Sequence, residues 1–136
     1  MLNTRLTDLA ANTQLDALAP LANNGYLQIY DGDQPATGDT AIVAQVLLSE
    51  LRMNATAFNA AVAGVITAKA IADDPSIAHD GTASWFRLLK SDHTTRLWDG
   101  SAGTADANLI LNSVELREGA RLQVASFTHT LPKQGA

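Results

Sequence analysis

From Gly25 onward, turn-forming residues interrupt the chain about every eight to twelve residues. That cadence leaves room for short strands but not for long helices, and strand does not alternate with helix as a parallel α/β sheet requires. Tyr26–Tyr30 alternates, with Leu27 and Ile29 on one face and Tyr26, Gln28 and Tyr30 on the other. Asp31-Gly32-Asp33-Gln34-Pro35 turns the chain into a polar loop that runs to about Thr40. Ile42–Arg52 is expected to be a strand, as is the small-residue run Ala60–Ile71, whose Val62, Val65, Ile66, Thr67 and Ile71 are β-branched. Asp73-Asp74-Pro75 opens a loop through Gly81, after which Thr82–Lys90 alternates clearly. Ser91-Asp92-His93 makes that strand a hairpin with Thr94–Trp98, which Asp99–Gly103 closes with turn residues. Leu109–Leu111, Val114–Leu116 and Leu122–Leu131 complete a set of about eight strands, with Glu118-Gly119 as the last tight turn. The expectation is an all-β, antiparallel sandwich or barrel over residues 25–136.

Residues 1–24 read differently. Leu2, Leu6 and Leu9 fall at i, i+4, i+7, one face of a helix. Asn12-Thr13 interrupts the pattern, Leu15, Leu18 and Leu21 begin another, and Asn23-Asn24-Gly25 stops it. One or two short helices precede the β domain, or else an arm that orders against a partner.

The chain has the length of one domain, at 136 residues. Alanine supplies 24 of the apolar residues and aromatics only 5 % of the chain, so Leu, Val and Ile must build the core. Fourteen acids against nine bases give a formal charge of −5, which argues against binding a nucleic-acid backbone. The absence of Cys excludes disulfides and thiolate chemistry. The most apolar stretch, Ala60–Ala72, contains Lys69 and is too short to span a bilayer, and the N-terminus lacks an apolar signal region. Synthesis in the cytosol, without a membrane partner, is the expectation.

Side-chain chemistry offers little. His79, His93 and His129 lack metal spacing, and Asp31, Asp33 and Asp39 miss the register of a calcium loop. Asp73, Asp74 and Asp80 read as loop acids. No nucleophile elbow, phosphate loop or dinucleotide fingerprint occurs, so neither catalysis nor a cofactor is expected. Trp85 and Trp98 lie on two strands of one hairpin and are expected to face each other across it, either as packing or as an interface anchor.

Four segments carry a family resemblance: LANNGYLQIYDGDQPAT (Leu21–Thr37), DGTASWFRLLKSD (Asp80–Asp92), DGSAGT (Asp99–Thr104) and NLILNSVELREGARLQVASFTHTLP (Asn108–Pro132). In these the chain resembles small structural proteins of tailed bacteriophages, and among them the jelly-roll capsid cement, or decoration, proteins of the Bordetella-phage type. It departs at Ala125, just before Ser126-Phe127, and across a longer Ala36–Thr56 region. The resemblance implies a jelly roll on the outer surface of the phage head, bound to the major capsid protein and acting as a homodimer across capsomers. Leu2, Leu6 and Leu9, with Trp85 and Trp98, are then the expected partner-contact residues. The alternative is a tail-associated module in which Asp-rich loops and a Trp recognise carbohydrate or a receptor.

Overall fold

The computed structural model describes residues 3–131. It is mostly β, with one short helix at the N-terminal end. Helix α1 (Asp8–Leu18) passes into a 3-10 turn (Ala19–Ala22). The strands are β1 (Tyr26–Tyr30), β2 (Leu47–Arg52), β3 (Val65–Thr67), β4 (Gly81–Thr82), β5 (Trp85–Leu89), β6 (Arg96–Gly103), β7 (Leu109–Leu111), β8 (Glu115–Leu116) and β9 (Val124–Thr130). Seven of them form one curled sheet in the order β2-β1-β5-β6-β7-β9-β3, and β4 pairs with β8 in a second, small sheet.

The helix starts later than its leucine spacing predicts. Thr7 caps it, its Oγ1 accepting from Ala10 N at 3.1 Å, so Leu6 precedes the first turn and Leu2 lies outside the described residues. Asn12-Thr13 does not break it, because Thr13 Oγ1 donates back to Leu9 O at 2.7 Å and Asn12 serves as a tether. The buried side of α1 is Ala11 and Leu15, continued by Ala19 and Ala22 in the turn. The alanines at three of these positions let the helix lie close to the strands. Asn12 Oδ1 accepts from Gly64 N and Asp16 Oδ1 from Ala61 N, at 2.9 and 2.8 Å, fixing it along the β3 hairpin.

The sheet is mixed, which corrects the expectation of purely antiparallel pairing. β6 and β7 run parallel, with Ala102 opposite Leu109 and Gly103 opposite Ile110. A parallel neighbour ordinarily needs a crossover of a dozen residues or more. Here the chain coils back within Thr104–Asn108, with Asp106 at φ +52, and Asn108 Oδ1 accepts from both Ser101 N and Ser101 Oγ. Asp99–Gly103, expected as a turn, is therefore strand. Gly100 belongs there because a Cβ on it would stand 2.6 Å from the Phe86 ring.

Two expected strands are shorter than their composition suggests. β2 begins only at Leu47, so Ile42–Val46 belongs to the preceding loop. The Ala60–Ile71 run is split by a two-residue turn, in which Val62 and Val65 exchange backbone hydrogen bonds at 2.9 and 3.0 Å. Ala63 (φ +52) and Gly64 (φ +76) give this turn the doubly left-handed geometry of a tight hairpin. The core gathers Leu15 from the helix, Leu27, Ile29, Phe86, Leu88, Leu109 and Phe127 from the large sheet, and Ile77 and Leu116 from the opposing segments.

The left-handed alanine carries a test. A non-glycine residue in that region costs about 1–2 kcal/mol, and asparagine tolerates it better. Ala63→Asn should raise the thermal unfolding midpoint by a few degrees in calorimetry. An unchanged or lower midpoint would mean that the turn geometry is not what limits stability here.

Candidate functional site

Strand β5 is buried along its whole length, which requires cover on both sides. Phe86 and Leu88 point into the core. Trp85 and Arg87 point the other way, with Trp85 against the long β1–β2 loop. Three side-chain bonds hold that loop down: Trp85 Nε1 donates to Asp31 O at 3.1 Å, Ser84 Oγ to Gly32 O at 2.6 Å, and Arg96 Nη1 to Asp39 O at 2.6 Å. On the same face Arg87 grips Asp99 in a two-pronged ion pair, Nε to Oδ1 at 2.7 Å and Nη2 to Oδ2 at 2.9 Å. Both side chains are almost wholly enclosed, at 2 % and 3 % exposure. Donating these hydrogen bonds to Asp99 pushes the Arg87 guanidinium above its ordinary pKa, so it stays charged although buried. Arg87 Nη1 has no partner among the described residues.

Aromatic and amide groups extend the network. Tyr30 stacks on Trp85 with ring centres 4.7 Å apart, and its hydroxyl, raised in pKa first by burial, donates to Gln28 Oε1. Gln28 Nε2 donates to Glu50, which also meets His93 Nε2 at 2.6 Å. These contacts tie β1 to β2, and β2 to the turn between β5 and β6.

The structure separates the residues expected at a partner interface. Leu9 is 77 % exposed at the start of α1, whereas Leu6 is half-buried just before it. Trp85 is 1 % exposed, beneath the loop. Trp85 and Trp98 do not face each other. The register sets Trp85 against Ser101 and Leu88 against Trp98, and residues three apart on one strand point to opposite faces. Trp98 instead stacks on His129, ring centres 4.4 Å apart, with Phe58 and Phe127 near by. Burial lowers the His129 pKa below its ordinary value.

Two features lay outside the reach of sequence reasoning. Val62, 72 % exposed, sits on the hairpin tip that α1 grips through Asn12 and Asp16, so it shares one end of the molecule with Leu9. Val43, 88 % exposed, projects from the β1–β2 loop. A cleft of about 340 Å³ lies between loop residues Gln34–Asp39 and β6, and a second of about 310 Å³ beside Gly32, Val43 and Gln45. The histidines are dispersed, His79 on Leu47 O, His93 on Glu50 and His129 on Trp98. Among the described residues no three His, Asp or Glu side chains gather as a metal site would need, and no helix is long and apolar enough to cross a membrane. Comparisons with family models, with curated proteins and with solved structures find no match.

Removing one partner of the enclosed pair strands the other charge. Asp99→Ala should cost about 3–5 kcal/mol in urea unfolding. A loss under about 1 kcal/mol would show that the pair does not hold the outer layer. His129 gives a pH signature. Because its folded pKa lies below the unfolded value of 6.5, the unfolded chain binds the proton first, and stability declines as pH falls through that value. His129→Phe, which keeps a ring on Trp98, should flatten the decline between about pH 7 and 5 in thermal melts; an unaltered pH profile would contradict the assignment.

Proposed function

We propose that this chain is a capsid cement protein of a tailed phage: a non-catalytic clip on the outer surface of the head, built as a jelly-roll sandwich, whose partners are the major capsid protein and a second copy of itself. The observation that carries the reading is the exposed apolar end formed by Leu9 and Val62, solvent-facing side chains on a rigid seam of helix and hairpin. Exposed aliphatic groups held by well-bonded backbone are what a partner surface needs, since little ordering cost remains to be met on binding.

The family resemblance adds a second support. Its four segments are separated in sequence, yet they supply β1, β5, most of β6, β7 and β9, adjacent strands of one sheet. The atypical region Ala36–Thr56 supplies the outer loop and the edge strand β2. The enclosed polar network serves rigidity, and rigidity is the working property of a clip. Many copies on one shell multiply a modest contact into a large resistance to opening. The sugar-platform alternative needs an accessible indole face; Trp85 is covered, and Trp98 is stacked on His129 beside Phe58 and Phe127.

The purified chain should co-sediment with expanded heads that lack it and raise their rupture temperature. Leu9→Asp should weaken attachment by roughly tenfold while leaving the unfolding midpoint in place. If the wild-type chain stays in the supernatant, the reading fails.

A further inference from the structure

We infer that the β1–β2 loop, residues 31–46, is a second, preformed docking element, and that its occupant is a protein surface with an apolar recess ringed by Lys and Arg. The inference rests on the cement reading and deepens it, because a clip between two capsomers needs two separate contact surfaces.

Three observations point to this loop. β1 and β2 are antiparallel neighbours with Tyr30 opposite Leu47, a junction that two to five residues ordinarily close. The chain instead leaves the sheet for the whole of 31–46, and ordered loops of that length are usually binding loops. Second, it is held stiffly. Asp31 and Val46 are joined twice, Val46 N donating to Asp31 Oδ1 at 2.7 Å and Asp31 N to Val46 O at 3.2 Å. Gln45 Nε2 donates to Asp33 O at 2.7 Å, and the middle is tied to β6 through Arg96. Such a loop presents Val43 at 88 % exposure, with Val46 at 40 % behind it, in a fixed position.

The third observation is charge. No Lys or Arg occurs between Arg5 and Arg52, while Asp31, Asp33, Asp39 and Glu50 all fall in or beside the loop. Arg96, bonded to Asp39 O, is a base beside the loop, and the acids outnumber it, so the apolar knob selects a recess with a basic rim over an acidic one. The strand directions place this surface away from the first. The loop leaves the end of β1 where Tyr30 pairs with Trp85, whereas the hairpin carrying Val62 precedes Val65, opposite Thr130 at the far end of β9. Through the pairings of β5, β6, β7 and β9 these are opposite ends of the strands.

The test uses the full chain and expanded heads lacking it. Val43→Asp should weaken co-sedimentation by roughly tenfold or more with an unchanged unfolding midpoint. Asp33→Asn with Asp39→Asn should weaken it less and reduce its salt dependence. If Val43→Asp also lowers the midpoint, Val43→Ser repeats the comparison and decides it. Wild-type attachment with no loss in the Val43 variants overturns the docking loop and leaves the cement reading standing. No attachment by the wild type overturns both. If Val43→Asp abolishes self-association in sedimentation velocity while head binding persists, the occupant is a second copy of the chain, and the inference is overturned in favour of a dimer contact.

Discussion

The Arg87–Asp99 ion pair is the constraint on which the rest of the outer architecture depends. Two charges enclosed at this level are tolerated only when geometry satisfies both, and the fork of Nε and Nη2 against both carboxylate oxygens permits one register of β5 on β6. Once Arg87 is set opposite Asp99, Phe86 must lie over Gly100 and Leu88 beside Trp98. Trp98 is thereby sent to the core side and Trp85 to the outer side. Trp85 and Ser84 then offer the donors that pull Asp31 and Gly32 down, and the loop closes over the pair that positioned it.

Much of the fold was legible in the chain. Residues with period-two alternation between turn signals, Tyr26–Tyr30 and Trp85–Leu89 above all, became strands where expected, since alternation is the pattern that two faces of a sheet impose. What was hidden was register. A turn centred on Ser91–His93 would set Arg87 against Leu97; the turn is one residue longer, with Lys90 N bonded to Thr95 O, and an irregularity between Leu88 and Leu89 adds a second step, so the partner is Asp99. No local signal announces that shift, so the cross-strand Trp pair and the closing turn at Asp99–Gly103 were both misplaced. The same holds for Ala63: alanine carries no turn signature, and its left-handed backbone follows from the helix tethers at Gly64 and Ala61. The spacing of Leu9 placed it on a helix, whereas the exposure of Leu9, Val43 and Val62 emerges only once the chain is folded.

The polar and apolar features divide the labour. Arg87, Asp99, Tyr30, Gln28, Glu50 and His93 bond to one another in a chain that runs from the enclosed ion pair out to the half-exposed His93. Outside, the exposed aliphatic side chains stand on tethered backbone at two places.

The placement of those ends along the strands has a mechanical meaning. A pull between the β1–β2 loop and the helix-hairpin seam would run along the strand axes, perpendicular to the inter-strand hydrogen bonds. Bonds loaded that way resist as a set, because neighbouring strands must slide past one another before any ladder is lost, whereas a sideways pull would open them singly. The parallel step from β6 to β7, locked by Asn108 on Ser101, lies within this load path and passes tension from one half of the sheet to the other. The chain is thus laid out as a tie rod, strongest against a pull directed along its strands.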